Sequence, residues 1–231
     1  MGYRRIRDEL DGHNGIHVND KRVLRICRKC DIKSTIKWKP KSCTRGDRNP
    51  DHVAKNYLQR EFHADKPNEK WLTDVSEFKY YIGIEVHKIY LSAILDLYDR
   101  RIVTFKISEH NNNPLVMETF DEAVHLEPDA HPLFHSDRGY QYTSTQFYNR
   151  LMEHHMKQSM SRVAHCIDNG PMEGFWGILK REMYYGHRFT DKEILVNDIS
   201  KYIDYYNNQR LQRKLNVMTP MEFHNQYTKA V

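Results

Sequence analysis

The chain has 231 residues, 39% of them hydrophobic and 29% charged. No apolar run approaches the roughly 20 residues that cross a bilayer, and the basic start Met1-Gly2-Tyr3-Arg4-Arg5 has no apolar stretch after it, which argues against a membrane protein and against a signal peptide. The net charge of +5 is uneven: residues 1–60 hold 16 Lys and Arg against 7 Asp and Glu, and residues 61–231 hold 20 against 24. A small basic segment suited to a polyanion therefore precedes a larger, slightly acidic one.

Residues 3–10 read as a short helix, followed by a turn at Asp11-Gly12-His13-Asn14-Gly15. A second helix starts after Asn19 or Asp20, both good caps, and runs to Cys30. Val23, Ile26, Cys27 and Cys30 fall on one face of it at helical spacing, and Lys21, Arg22, Arg25, Arg28 and Lys29 crowd the rest. Two short helices, the second basic, fit a small DNA-binding module. Cys27 and Cys30 resemble half a zinc site, but Cys43 has no close Cys or His partner, so reduced thiols are expected. Residues 35–68 carry Pro40, Pro50 and Pro67 and little apolar periodicity, the mark of a connecting stretch. The expected division is a module over 1–45, a linker over 46–68 and a core with C-terminal helices over 69–231.

From Trp71 the texture changes. Residues 71–80, 88–97 and 101–107 read as strands, and the turn Tyr98-Asp99-Arg100 makes the last two antiparallel. Helices are expected over 114–127, 144–156, 172–184 and 191–208, with short strands at 131–136 and 158–160. The pattern describes an α/β layer with helices covering a mixed sheet.

Asp74 lies inside the first strand, Asp137 ends a short one, and Glu173 sits in the first turn of a helix. Carboxylates held by regular elements are pre-positioned for hard cations such as Mg²⁺ or Mn²⁺. Two such ions about 3.5–4 Å apart clamp both oxygens of a phosphodiester displacement. Spacing alone proves little, because 17 Asp and 14 Glu give chance pairs at any offset.

Local context is more specific. Trp71-Leu72-Thr73-Asp74-Val75, Leu95-Asp96-Leu97, His135-Ser136-Asp137-Arg138-Gly139-Tyr140-Gln141-Tyr142, Met160-Ser161-Arg162, Asp168-Asn169-Gly170-Pro171-Met172-Glu173, Leu179-Lys180-Arg181-Glu182 and the tail Tyr205 to Arg210 with Thr219-Pro220 carry a resemblance over essentially the whole chain. The chain resembles the integrase-core (DDE) transposases of bacterial insertion sequences, in particular their second-reading-frame product. Thirty-five residues separate Asp137 from Glu173, the family's spacing. The resemblance implies a ribonuclease-H-like core, with a mixed five-stranded sheet flanked by helices, behind the small basic module. It implies a catalytic, metal-binding triad of Asp74, Asp137 and Glu173 holding two Mg²⁺ or Mn²⁺ ions. It also implies cleavage at transposon ends and attack of the freed 3′-hydroxyl on target DNA, by a homo-oligomer assembled on DNA in the bacterial cytoplasm at the nucleoid. It further implies residues ahead of Met1 and an upstream helix-turn-helix and coiled-coil partner or fusion, of which this chain shows no heptad pattern. A non-catalytic DNA-binding remnant and a plain metal-dependent nuclease on the same fold stay open.

Lys180 lies two helical turns after Glu173, on the same face, with Gly177 between them leaving room for a backbone approach; a phosphate contact is expected of it. Arg138, Gly139, Gln141 and Tyr142 form a loop beside the site, with Arg138 expected on DNA. Asp96 is expected to shape a turn with Asp99, His135 and His165 to be structural, Asp168 and Asn169 to cap the helix of Glu173, Phe175, Trp176, Leu179 and Met183 to be its buried side, and residues 205–208 to pack against the core.

Overall fold

The structure is a computed structural model that describes residues 1–34, 52–162 and 166–230. Cys43, His165 and part of the expected linker lie outside the described residues. The chain forms two compact units, one drawn from residues 1–40 and 201–231, the other from residues 41–200.

In the first unit, α1 (Tyr3–Gly12) packs on α2 (Asp20–Lys29). Asn19 caps α2 by accepting from the Lys21 N–H at 2.8 Å. Gly12 ends α1 against Leu211; a Cβ there would stand 2.5 Å from the leucine Cδ1, so a larger residue would require the leucine side chain to shift. Val23 and Cys27 are the buried positions of α2, whereas Ile26 and Cys30 are exposed. The inward stripe is narrower than the sequence suggests, because a ten-residue helix packed on one neighbour buries about one residue per turn. Asp8 and Arg213 tie the two ends of the chain together, with Arg213 Nε donating to both Asp8 oxygens at 2.7 and 2.9 Å. Residues 205–208 also belong to this unit: Arg5 donates to the Tyr205 hydroxyl and lies over its ring.

The second unit is built on a five-stranded sheet of order β3-β2-β1-β4-β5. The strands are β1 (Lys70–Ile82), β2 (Glu85–Asp96), β3 (Ile102–Ser108), β4 (Leu133–Ser136) and β5 (Lys157–Met160). The first three form an antiparallel meander, and β4 and β5 extend it in parallel on the β1 side. Helix α3 (Asn113–Leu126) crosses between β3 and β4, and α4 (Thr145–Glu153) between β4 and β5. Asn112 and Ser144 cap them by accepting from the Leu115 and Phe147 N–H groups. Phe120, Phe134, Phe147 and Tyr142 meet edge-on or tilted, with ring centroids 5.5–5.7 Å apart, in a core shared with Trp71, Leu151 and Met160. Such pairs add about 0.5–1.5 kcal/mol each beyond burial.

Helix α5 (Gly170–Leu179) packs on β1 and buries Met172, Phe175, Trp176 and Leu179. The helix expected to run on to residue 184 instead changes to a π-helical turn at Lys180–Tyr184. The Tyr184 hydroxyl pairs with the Lys79 backbone at the β1 end, which holds the wider turn in place. Met183, expected on the buried side, is only partly covered there. Helix α6 (Lys192–Asn208) follows, and α7 (Pro220–Ala230) closes the chain. No helix among the described residues is long and apolar enough to cross a membrane.

Candidate active site

Sheet register brings the first two carboxylates together. In the parallel pairing of β1 with β4, Leu72 sits opposite His135. Asp74 comes two residues further along β1, and Asp137 two residues further along the chain, just past the end of β4; the charge of Asp137 reaches Asp74, so the two carboxyls are neighbours. Both are half-buried. The Asp74 carboxyl is pushed up to about 8, first by burial and next by the charge of Asp137. Burial also raises Asp137, while the Gly139 N–H, donating to Asp137 Oδ1 at 2.8 Å, draws it back down. Gly139 fits closely in that turn: a Cβ there would meet Asp137 Oδ1 and Gln141 Oε1, both at 3.1 Å.

Glu173 projects from the first turn of α5 and is exposed. Its charge reaches Asp74 and adds to the upward shift there. The three expected residues thus belong to one electrostatic neighbourhood, with the two aspartates in closer interaction. Among the described residues no three His, Cys, Asp or Glu groups converge tightly enough to hold a metal ion as they stand. The donor chemistry nevertheless fits a hard divalent cation: three carboxylates, with Asp137 and Glu173 both raising the proton affinity of Asp74.

Several neighbours fix this arrangement, and sequence reading missed the most direct one. The Trp176 indole Nε1 donates to Asp74 Oδ2 at 3.0 Å, while the Val75 N–H occupies Oδ1 at 2.8 Å. Trp176 sits three residues after Glu173, so one helix carries both a carboxylate and the clamp on another. Its periodicity marked it as buried, which it is; only its polar edge could have flagged the second role. Asn169 was expected to cap α5, but its side chain makes no cap bond. Its amide donates instead to the carbonyl of Thr73, the residue before Asp74, at 3.1 Å.

Asp168 is not a cap either. Its fully buried carboxylate accepts from Arg162 Nε and Nη2 at 2.9 and 3.0 Å, from the Arg162 backbone N–H at 3.1 Å, from Arg60 Nε at 2.6 Å and from Asn56 at 3.0 Å. Those guanidinium bonds, Arg162 first, hold it well below the usual carboxylate range. It anchors the start of α5 to the segment before β1 and to the end of β5. His135 is buried between the Ser159 and Ser161 hydroxyls at 2.8 and 3.1 Å, and burial pushes it down to about 4, so it is a neutral structural group. Asp96 accepts from the Asn68 and Tyr98 N–H groups, and Asp99 from that of Arg101, shaping the turn as expected.

Lys180 lies near the acids, with Nζ 4.9 Å from the centre of the Phe78 ring. Burial lowers its ammonium below the usual lysine range, and Asp74 and Glu77 pull the other way. Gly177 leaves no backbone approach to explain; its nearest neighbour is the Arg181 guanidinium at 3.7 Å. In the loop, Arg138 Nε donates to the Ser161 carbonyl at 2.8 Å. Gln141 and Tyr142 are buried rather than presented outward, the tyrosine hydroxyl pairing with Thr73 Oγ1 at 3.1 Å. On α2, Lys21, Arg22, Arg25, Arg28 and Lys29 are all exposed.

Comparison with known proteins places the chain in a family. The integrase core domain family matches residues 64–166, and a second integrase core family matches residues 173–227. The HTH-like domain family matches residues 1–40. A protein assigned as the InsK transposase of insertion sequence element IS150 from Escherichia coli K12 is 39% identical over 226 residues, 97% of this chain and 77% of the relative. A transposase-like protein of Haemophilus influenzae is 39% identical over 211 residues, 91% of this chain and 95% of the relative. Among solved structures, the HTLV-2 integrase catalytic core in complex with magnesium superposes with a TM-score of 0.53 at 20% identity, covering 69% of this chain and 98% of that one. A simian T-cell lymphotropic virus intasome chain gives a TM-score of 0.59 at 15% identity, covering 94% of this chain and 73% of that one. These last two likenesses speak to the fold.

Proposed function

The chain belongs to the integrase-core family of insertion-sequence transposases, and from that premise we propose that it cleaves transposon ends and joins them to target DNA through Asp74, Asp137 and Glu173. The observation that carries this reading is the β1–β4 register, whose last pair Leu72–His135 is followed two residues on by Asp74 and by Asp137; each carboxyl is raised, and the charge of Asp137 adds to the shift of Asp74. A site of that kind gains by taking up a divalent cation, and Mg²⁺ or Mn²⁺ bound as a pair would supply charge stabilisation at the attacking and leaving oxygens. Asp74 and Asp137 would hold the cations from the sheet, and Glu173 would add the third carboxylate from α5, its exposed side chain having room to turn inward.

The surrounding groups then have distinct tasks. Trp176 and the Gly139 N–H each take one acceptor site of an aspartate and fix its rotamer, leaving the other lone pairs for a cation. Lys180 and Arg138 stand near the acids, where a DNA phosphate can meet a cationic side chain. The exposed basic side of α2 contacts DNA backbone away from the reacting bond.

A strand-transfer assay with Mg²⁺, element-end duplex and target DNA tests the proposal. Asp137→Asn removes a charge without changing shape. It is expected to reduce joining to background while the dissociation constant for end DNA stays within about twofold, because phosphate contacts dominate affinity. Joining at the wild-type rate by the Asp137→Asn protein would sink the assignment.

A further inference from the structure

Folding changes where the positive charge of this chain lies. The first unit, residues 1–40 with 201–231, holds 16 Lys and Arg against 7 Asp and Glu, and residues 41–200 hold 20 against 24. The end of the chain thus contributes to the basic unit. The residues it brings include Arg210, Arg213 and Lys214, which line a cleft of about 260 Å³ together with Arg4, Arg5 and Asp8 of α1.

Five cations and one carboxylate face that cleft, and the carboxylate is already neutralised. Arg213 donates to both Asp8 oxygens and, through its other two nitrogens, to Asp20 at 3.0 and 2.8 Å. Arg213 is therefore the rivet of the cleft rather than its reader. Arg5 donates to the Tyr205 hydroxyl, lies over its ring and pairs with the Glu9 carboxylate at 4.0 Å. Arg4 and Lys214 are exposed. Arginine and lysine around a concavity of this size suit one tetrahedral, singly charged oxyanion.

We infer that this composite cleft binds a backbone phosphate of duplex DNA, so that the C-terminal segment joins α1 in holding the nucleic acid. The inference rests on the reading that the first unit carries DNA, and it adds a second contact region to the basic side of α2. The contact reads no sequence, since phosphates are the same at every step. It strengthens binding and adds to its salt dependence by counterion release.

The test is a fluorescence-anisotropy titration of a labelled duplex with the full chain over a series of salt concentrations. Wild type is compared with Arg4→Gln/Lys214→Gln and with Arg25→Gln/Arg28→Gln, each first checked for an unchanged melting temperature. Loss of two phosphate contacts is expected to lower the slope of log K against log salt by about 1.8, at roughly 0.9 per contact, with equal effect on element-end and random duplexes. If the Arg4/Lys214 pair changes neither slope nor affinity, the inference falls. If the Arg25/Arg28 pair weakens binding in that same experiment, the DNA-binding reading of the first unit survives the fall. Inorganic phosphate supplies the remaining arm: a wild-type melting temperature raised by phosphate, with unaltered DNA binding by the Arg4/Lys214 variant, identifies a small-anion site and also overturns the inference. Should the double variant melt early, Lys214→Gln alone carries the measurement, with an expected slope change of about 0.9.

Discussion

Asp74 and Asp168 are both acids of the second unit, and their surroundings drive them in opposite directions. Asp168 is fully buried, yet its carboxyl is held well below the ordinary range because Arg162 and Arg60 share it. Asp74 keeps some surface exposure, yet it is pushed up to about 8, first by burial and next by the charge of Asp137. What separates them is the supply of cations: the fold gives Asp168 two guanidiniums that outweigh its burial, whereas on the proposed reading Asp74 and Asp137 would take up a cation from outside. Asp96 shows that a raised pKa is not sufficient. Burial and Asp99 lift it to about 7, but two turn N–H groups and Arg101 engage it, and it stands in a turn rather than a site.

The sharpest way to break the satisfied half of this comparison is Asp168→Ala. A buried ion pair that loses a partner costs about 3–5 kcal/mol; here both guanidiniums reach solvent, so about 2–3 kcal/mol is expected at pH 7. Urea denaturation measures it, and a loss under 1 kcal/mol would show that the clamp is decorative. The pH dependence follows from the sign of the shift. A carboxylate with a depressed folded pKa stabilises the fold above its ordinary value of 3.8 and loses that contribution as pH falls below it toward the folded value. The gap between wild type and Asp168→Ala is therefore expected to close as pH drops below about 4. A gap that widened in acid would contradict the assignment. A smaller effect tests how the load is shared. Arg162→Ala leaves Arg60 and Asn56 on the carboxylate and is expected to destabilise the protein less than Asp168→Ala does. Equality with Asp168→Ala would make Arg162 the whole clamp.

How much of this was legible beforehand depends on whether the cause is local. The three strands β1–β3, the antiparallel turn between β2 and β3 and the Asn19 cap of α2 were readable, because alternation, turn residues and cap residues are written in neighbouring positions, and motif context there also named Asp74, Asp137 and Glu173 as candidates. The parallel register that sets Asp74 beside Asp137 was not, since nothing in either strand states its partner. Asp168 and Asn169 precede a helix and carry cap chemistry, so a cap was the sensible reading. Arg60 and Arg162 outcompeted the backbone for the first, and the Thr73 carbonyl took the second; both partners come from distant sequence. The composite basic cleft escaped for the same reason, its two halves lying some 200 residues apart, as with Asp8 and Arg213. The π-helical turn at Lys180 depends on Tyr184 finding the β1 backbone, which periodicity cannot foresee.

Trp176 probes the unsatisfied half most gently. The indole N–H is the one side-chain donor shown on Asp74 among the described residues, and it reaches across from the helix that carries Glu173. Phenylalanine in its place keeps the apolar packing and removes only the donor, so the fold is expected to persist while Asp74 loses its fixed rotamer. Groups that orient a metal ligand are typically worth about 10–100-fold in affinity. Because Asp74 is still held at its other oxygen by the Val75 N–H, a loss near the lower end, about tenfold or roughly 1.4 kcal/mol, is expected for Mn²⁺ measured by calorimetric titration. The Asp168 clamp provides the control: Arg162→Ala should leave Mn²⁺ affinity much closer to wild type, because Arg162 touches none of the three carboxylates. If Trp176→Phe binds Mn²⁺ as tightly as wild type, the indole is ordinary core packing. If Arg162→Ala weakens Mn²⁺ as much as Trp176→Phe does, the two acids are not independent, and the contrast between them reduces to the placement of α5.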